Sequence, residues 1–157
     1  MKSFPSIAAL LLAASAVVIP AAFASEHMSE AESEVWAVVA QSWVDETEET
    51  GAWPSEYLHE DAHSWGAEWP MPRDAESIVN WARALAAASD TLVYELFPMA
   101  VTVTGDTAVA YYSAVQITEN SEGERERETT GLVETLVRTE AGWRFLGLTS
   151  FEMGDDD

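Results

Sequence analysis

The second half of the chain is divided into four long β-rich runs by three short turns, and this pattern limits the fold more than any other feature. The runs cover residues 91–103, 107–118, 128–139 and 143–152. Each turn between them is polar and contains a glycine. Runs of this length joined by such turns are typical of consecutive antiparallel strands. Pro98, which has no N–H to donate to a neighbouring strand, predicts a bend or bulge in the first run.

A long amphipathic helix is predicted before these runs. Ser29 and Glu32 have the spacing of a capping box, in which each side chain accepts a hydrogen bond from the backbone N–H of the other residue. We expect the helix to extend from Ser29 to about Glu49 and to end near Gly51. One face carries apolar residues at spacings of three and four: Trp36, Val39, Ala40 and Trp43.

Two further helical segments are predicted before the strands begin. Proline is favourable at the first position of a helix, so Pro54 predicts a short helix to about His59. Asp74 can cap a third helix. The expected inner face of that helix is Ile78, Trp81, Ala82 and Leu85. Helices followed by an antiparallel meander predict the α+β class, with the helices on one face of a curved sheet.

The first 24 residues have the pattern of a secretory signal peptide. Lys2 gives a positive start, residues 7–18 are apolar, and Ala22-Phe23-Ala24 has small residues where a signal peptidase cleaves. The apolar run is short and is interrupted by Pro20, which favours removal over a permanent membrane span. We therefore expect residues 25–157 to form a single exported domain, periplasmic or extracellular, with no membrane association after cleavage.

The charge of the chain is strongly negative. It has 28 Asp and Glu against seven Lys and Arg, a net charge of −21, and its only Lys lies in the predicted signal peptide. Nucleic acid is therefore not an expected partner, since binding to phosphates needs clustered basic side chains. The chain has no Cys, so the exported domain depends on its core rather than on disulfides. Seven Trp supply much of the apolar surface available for that core.

Residues 59–63 contain the H-E-x-x-H pattern of zinc peptidases, with His59, Glu60 and His63 at the named positions. The pattern binds zinc when both His lie one turn apart on a helix. In a strand, the two His would be about 13 Å apart at roughly 3.3 Å per residue. Trp69 stands where a third ligand is needed. A zinc metalloprotease that uses His59, Glu60 and His63 stays an alternative, but no metal and no other cofactor is predicted.

Several short segments, in this order, resemble the nuclear transport factor 2-like superfamily, which includes ketosteroid isomerases and SnoaL-like polyketide cyclases. They are Tyr57-Leu58-His59-Glu60-Asp61, the loop from Trp65-Gly66 to Pro72-Arg73, Trp81, Gly105-Asp106-Thr107-Ala108, and Ala141-Gly142-Trp143-Arg144-Phe145 leading to Ser150. The resemblance implies a cone in which a bent sheet wraps around the long N-terminal helix and leaves an apolar pocket at its open end. It also implies a strand around residues 62–65 and a homodimer.

The resemblance to ketosteroid isomerases implies three functional positions, and this sequence keeps one of them. The general base of that family falls near Gly66, which has no side chain. Its helix tyrosine falls near Ser42 or Trp43, and neither is a phenol. Its protonated carboxylic acid, a hydrogen-bond donor, falls on Glu134. The resemblance therefore does not support isomerase activity.

Glu134 and His63 are the two candidate catalytic residues. On its strand Glu134 shares a face with Leu132 and Leu136, so its charged form is disfavoured and its pKa is expected to be raised. Glu134 could be an acid in the pocket, or it could pair with Arg144 or lie at an exposed rim. His63 could face the pocket as a base or ligand donor, or it could be a hydrogen-bonded residue at a strand end.

Two functions remain open from the sequence. The first is a non-catalytic binding or accessory domain with a pocket for a small apolar or aromatic molecule. The second is a small isomerase, cyclase or hydrolase that acts on a hydrophobic substrate through Glu134 and His63. Convergence of these two side chains on one cavity would favour the enzyme. The residues expected to line the pocket are Trp36, Trp43, Trp65, Trp69 and Tyr112.

Overall fold

The structure, a computed structural model, describes residues 28–66 and 69–154, and the predicted signal peptide lies outside them. The helices in this part of the chain are α1 (Glu30–Thr47) and α2 (Ala75–Ala86). The strands are β1 (Leu58–Gly66), β2 (Arg73–Asp74), β3 (Ser89–Thr104), β4 (Thr107–Asn120), β5 (Arg125–Thr139) and β6 (Gly142–Glu152). The four predicted runs are therefore strands β3 to β6, each slightly longer than predicted.

The six strands form one curved, open sheet in the order β2-β1-β6-β5-β4-β3. Strands β3 to β6 pair antiparallel with their neighbours in sequence, and β1 joins the edge of this meander parallel to β6. The register of β3 against β4 shifts between Pro98 and Ala100, which confirms the predicted irregularity at Pro98. The sheet and the preceding helix give the α+β architecture expected from the sequence.

The concave face of the sheet packs against α1 and contains the core. Residues paired directly across neighbouring strands share a face. One row of the concave face contains Ala110, Glu134 and Leu148, and the next contains Tyr112 and Leu132. The buried apolar side chains of the main core cluster are Val35, Val39, Leu96, Val101, Ala108, Ala110, Tyr112, Ala114, Leu136, Trp143 and Phe145.

Helix α1 begins at the predicted capping box. The Ser29 hydroxyl accepts a hydrogen bond from the Glu32 N–H (3.3 Å), and the Glu32 carboxylate accepts one from the Ser29 N–H (2.7 Å). The helix ends at Thr47, about two residues before the predicted end. Its buried stripe is Val35, Val39 and Ser42, with Trp36 and Trp43 partly buried beside it.

The short helix predicted from Pro54 to about His59 is not formed. Turns occupy this segment instead, closed by hydrogen bonds from the Tyr57 and Leu58 N–H groups to the Pro54 carbonyl (3.0 and 3.1 Å). The Tyr57 carbonyl accepts a hydrogen bond from the Phe145 N–H on β6 (2.9 Å), and β1 begins at the next residue. Pairing with the sheet therefore outweighs the weak helical preference of so short a segment.

Helix α2 has the predicted cap but not the predicted inner face. Asp74 accepts a hydrogen bond from the Ser77 N–H (2.9 Å). Of the four expected inner residues only Ile78 is buried, whereas Trp81 and Leu85 are exposed. The helix lies mainly against β1 and β2 at the edge of the sheet, which leaves much of its apolar face uncovered. Neither α1 nor α2, the helices of the described residues, has the length and apolar character of a membrane span.

Candidate functional site

The His59–His63 segment is part of strand β1, so the zinc-peptidase interpretation is wrong. Ala62 is buried while Asp61 and His63 on either side are exposed, as expected for a strand. The His59 Nδ1 accepts a hydrogen bond from the Asp61 N–H (3.1 Å), and the His63 Nδ1 lies 2.9 Å from the Asp61 carbonyl oxygen. Across residues 28–66 and 69–154, no three His, Cys, Asp or Glu side chains are grouped to hold a metal ion.

Glu134 lies on the concave face of β5 and is 4% exposed. The two alternative placements are wrong, since the side chain is not at a rim, and Arg144 pairs with Val137 and donates to the Trp143 carbonyl (3.2 Å). Burial raises the pKa of Glu134 to about 8, and the nearby charge of Glu46 adds to the rise. The raised pKa expected from the sequence is therefore confirmed in direction and cause.

A hydrogen-bonded chain connects Glu134 to helix α1. The indole N–H of Trp43 donates to the Tyr112 hydroxyl oxygen (3.0 Å), and the Tyr112 hydroxyl bonds to the Glu134 carboxyl group. Burial raises the pKa of Tyr112 well above its ordinary value, so the phenol keeps its proton and serves as the donor to Glu134. One carboxyl oxygen of Glu134, Oε2, is buried and has no hydrogen-bond partner.

Glu46 is a second acid of this site, and the sequence interpretation missed it. It is half-buried on α1, its pKa is raised to about 7 by burial, and it accepts a hydrogen bond from the side chain of Trp53. Glu46 lies in an acidic stretch near the helix end, which is usually solvated. Its spacing from Trp36, Val39 and Trp43 places it on their face of the helix, and that spacing is the signal that could have identified it.

Further aromatic rings contact Tyr112 and Trp53, the two side chains that bond to the acids, and Trp43. The Trp36 ring meets the Tyr112 ring edge-on at 5.4 Å, and the Trp43 ring lies 5.6 Å from the Tyr94 ring. The Trp53 ring contacts Phe145 edge-on at 5.8 Å. Trp36 and Trp43 are partly buried against the core cluster, and Tyr112 lies on the same face of the sheet as Glu134. We call Glu46, Glu134, Trp36, Trp43, Trp53, Tyr94 and Tyr112 the cone cluster.

His63 does not join the cone cluster. Ser64 pairs with Leu148, which pairs with Glu134, so Ser64 lies on the concave face of the sheet. Its neighbour His63 projects from the opposite face, because side chains alternate along a strand. There it is exposed and pairs with Asp74 and Gly147. The predicted combination of Glu134 and His63 at one cavity is therefore not formed.

Trp65 and Trp69, the other two residues expected in the pocket, lie outside the cone. Trp65 is exposed on the opposite face of β1 from Ser64, and its indole N–H donates to the Trp69 carbonyl (2.9 Å). The guanidinium of Arg73 lies 3.5 Å from the Trp69 ring centre and 4.8 Å from that of Trp81. Residues 69–74 with Ser77 and Trp81 line an open groove of about 600 Å³.

Comparison with solved structures finds proteins of similar fold at low sequence identity. A ketosteroid isomerase-like protein from Erwinia carotovora atroseptica has a TM-score of 0.70 at 10% identity, over 82% of this chain and 100% of that one. A nuclear transport factor 2-like protein from Novosphingobium aromaticivorans has a TM-score of 0.62 at 23% identity, over 79% and 82%. One from Prochlorococcus has a TM-score of 0.64 at 13% identity, over 82% and 97%. No protein-family model and no curated protein matches the chain.

Proposed function

We propose that this domain, which has the nuclear transport factor 2-like fold, binds a small molecule with an apolar or aromatic body next to Glu134. The observation that carries the proposal is the Oε2 atom of Glu134, a buried polar atom without a hydrogen-bond partner. Leaving such an atom unpaired costs about 1–3 kcal/mol. A ligand whose polar group reaches Oε2 removes this cost, and its apolar part contacts the aromatic side chains of the cone cluster.

The burial of residues along the concave face supports an approach to Glu134 from the open end of the cone. Ser150 on β6 is exposed, Leu132 beside it is partly buried, and Glu134 further along β5 is buried. Leu148 and Trp36 are also partly buried. An approach lined by apolar side chains with a polar group at its base has the composition of a small-molecule pocket.

Binding is favoured over catalysis because the candidate acid and base are separated. Glu134 lies on the concave face and His63 on the other, so the two cannot act on one substrate atom. The position near Gly66, where the resemblance places a base, has no side chain. Without a base beside it, Glu134 still supplies a hydrogen-bonding group, and such a group is sufficient for binding a ligand.

The proposal is tested with residues 25–157 and a set of small lipophilic molecules of different charge. Tryptophan fluorescence reports ligands near Trp36 and Trp43, and thermal unfolding reports their affinity. A ligand present at about 100 times its Kd should stabilise the fold by about 2.7 kcal/mol. Glu134→Leu should abolish the response of ligands whose polar group contacts Oε2, while Glu95→Gln, which removes an exposed charge on β3, should leave it unchanged. Failure of every ligand to change either signal contradicts the proposal.

The partner proposed for the convex face is a second copy of the chain. Phe97, Ser113, Gly131 and Phe151 form one row across four strands of that face, and Tyr111 lies in the adjacent row. The three aromatic residues are all exposed, and exposed apolar patches of this kind mark interaction sites. Sedimentation should give a dimer that Tyr111→Glu converts to monomer. A monomeric wild-type protein contradicts the proposal.

Export is also proposed, on the pattern of residues 1–24. Expression of the whole chain in a bacterium followed by mass spectrometry of the extracytoplasmic fractions should give a protein that begins at Ser25. A full-length chain retained in the cytoplasm contradicts it.

A further inference from the structure

We infer that the ligand is a cationic amine whose ammonium group lies between Glu134 and Glu46, with the aromatic rings of the cone cluster around it. The inference rests on the proposed function and specifies the chemistry of the polar group that reaches Glu134. It follows from the charges, the hydrogen-bond capacity and the aromatic surfaces of the cone cluster.

The charges of the cone cluster are all of one sign. Its ionisable groups other than phenols are Glu46 and Glu134, and no basic side chain contributes to the pKa of either. The six arginines of the described residues lie elsewhere than at these two acids. Arg73 stacks on Trp69 and Trp81, and Arg83 bonds to Asn80. Arg125 pairs with Glu119, Arg138 pairs with Glu34, Arg144 bonds to the Trp143 carbonyl, and Arg127 is exposed on β5. An anionic ligand would therefore face two acids without a counter-charge, whereas a cation would supply the charge that the site lacks.

The hydrogen-bond capacity of the site favours a donor with several N–H groups. Oε2 of Glu134 has no partner, and Glu46 keeps acceptor capacity beyond its bond to Trp53. An ammonium group has three donors and can serve both carboxylates. A neutral carbonyl group can only accept hydrogen bonds. It could accept one from protonated Glu134, but it has no N–H or O–H to donate to Glu46. Glu46 follows Trp43 by one turn of α1, so it lies near the Trp43 end of the hydrogen-bonded chain while Glu134 is at the other end. The charge of Glu46 acts on both Tyr112 and Glu134, so the two acids are close enough to interact.

Aromatic faces complete the cation site. Trp36, Trp43 and Tyr94 are partly buried, and each lies within ring contact of another aromatic residue of the cluster. A cation over the face of such a ring gains about tenfold or more in affinity when the contact is desolvated. Aromatic rings combined with carboxylates are the usual protein environment for ammonium ligands, and apolar ligands alone would not need the acids.

Protonation gives the inference a distinctive signature. Tyr112 on β4 and Glu46 on α1 are the titratable groups that act on Glu134, whereas β6 presents Leu148 to it. Burial raises the pKa of Glu134 to about 8 and that of Glu46 to about 7. An ammonium ligand binds best when both are ionised, so its affinity rises as the pH passes through this range. A neutral ligand that accepts a hydrogen bond from protonated Glu134 shows the opposite trend.

The test compares three probes of one shape: 4-phenylbutylamine, 4-phenylbutanol and 4-phenylbutyrate. Isothermal titration with residues 25–157 at about pH 6 and about pH 8.5, where the amine stays charged, measures their Kd. We expect the amine to bind roughly tenfold or more tightly than the alcohol at the higher pH, to gain affinity with pH, and the acid to bind most weakly. Glu134→Gln and Glu46→Gln should each reduce amine affinity about tenfold without reducing alcohol affinity, and Glu95→Gln should change neither.

The outcomes separate the inference from the function on which it rests. If the alcohol binds as tightly as the amine, or if amine affinity falls with pH, the ligand is not cationic and the inference is wrong, while the proposed pocket stands. If Glu134→Gln binds the amine as tightly as the wild type, the ammonium is not at Glu134 and the inference is also wrong. If no probe binds below about 1 mM and no other lipophilic molecule changes the fluorescence, both the pocket and its amine specificity are rejected.

Discussion

Tyr111 and Tyr112 are neighbours on β4 and lie on opposite faces of the sheet. Tyr112 is 1% exposed and bonds to both Trp43 and Glu134, whereas Tyr111 is 43% exposed on a face that carries Phe97 and Phe151. The concave face encloses acids among aromatic rings and shields them from water. The convex face presents aromatic rings to solvent. The same residue type therefore belongs to a hydrogen-bonded interior on one face and to an open apolar surface on the other.

This difference affects the acids more than the rings. Glu134 on the concave face has its pKa raised to about 8 by burial. Glu95, on the edge strand β3, is exposed, and water solvates its carboxylate. Burial without a counter-charge turns an ordinary glutamate into a group that is neutral near neutral pH. The concave face thus holds a buried carboxyl oxygen without a hydrogen-bond partner, whereas the convex face exposes apolar area.

The largest expected difference between the faces is in stability. Tyr112→Ala should lower the free energy of unfolding by roughly 3–5 kcal/mol, because it removes a fully buried aromatic ring and leaves a cavity. Tyr111→Ala should cost about 1 kcal/mol or less in the monomer, since its ring is largely solvated already. Urea unfolding measures both. Equal losses in the two variants would show that the faces are not packed differently.

The pH dependence of stability is the next largest effect. Glu134 and Glu46 titrate near 8 and 7 in the folded state, above their ordinary value of 4.5. Between about pH 4.5 and 8 the unfolded state therefore ionises before the folded state, and the free energy of unfolding falls as the pH rises. At about 1.4 kcal/mol per pH unit, the two raised pKa values correspond to about 8 kcal/mol at most. Because Glu46 is only half-buried and the two acids interact, we expect a loss on the order of 4 kcal/mol, the larger part of it from Glu134.

Glu134→Gln provides the control for this slope, because glutamine has a similar shape and does not ionise. Its free energy of unfolding should fall much less over the same pH range in urea unfolding experiments. The acids whose pKa is lowered, Glu32, Asp45 and Asp74, act at lower pH and contribute little to this range. The same slope in wild type and variant would indicate that general charge repulsion, rather than Glu134, sets the pH dependence.

A smaller effect is expected at Gly131 on the convex face. A Cβ at this position would lie 2.4 Å from the Phe151 ring, which covers the glycine. Because Phe151 is half-exposed and its ring can move, Gly131→Ala should cost only about 1–2 kcal/mol. The cost should be relieved in the Gly131→Ala/Phe151→Ala double variant. A loss that persists in the double variant would place the strain in the backbone of β5 instead of in the ring contact.

The smallest effect is expected for His63→Ala. His63 is exposed on the convex face of β1, and its ring is hydrogen-bonded to the Asp61 carbonyl. Its removal should change stability by about 0.5 kcal/mol or less and leave ligand affinity unchanged. Weaker binding measured by isothermal titration would mean that His63 reaches the pocket, and would restore the paired acid and base as a hypothesis.

Local sequence signals predicted the elements better than the site. Residue patterns identified the capping box at Ser29, the cap at Asp74, the irregularity at Pro98 and the four long strands. These features depend on neighbours in sequence, so they are readable from it. The prediction of a short helix at Pro54 was wrong because Tyr57 pairs with β6, a segment distant in sequence, and local patterns do not show such a contact.

The site depended on contacts across the chain. Glu134 was identified from the resemblance and from the two leucines on its own strand face, but its bond to Tyr112 and the effect of Glu46 on it come from β4 and α1. Glu46 was missed for that reason. Trp65 and Trp69 were placed in the pocket from the resemblance, but Trp65 lies on the convex face of β1 and its indole N–H donates to the Trp69 carbonyl there.

The sequence by itself determined the order of elements, the alternation of faces along each strand, and the presence of an acid between two leucines. Periodicity and turn chemistry are local, and they leave few alternatives for strands of this length. The tertiary structure decided which face is enclosed, because α1 covers only the concave side of the sheet. Because α1 packs on that side, Tyr112 and Glu134 are buried, whereas Tyr111 and His63 are exposed to solvent. The same packing places Glu46 of α1 near Glu134 and the aromatic rings of the cone cluster.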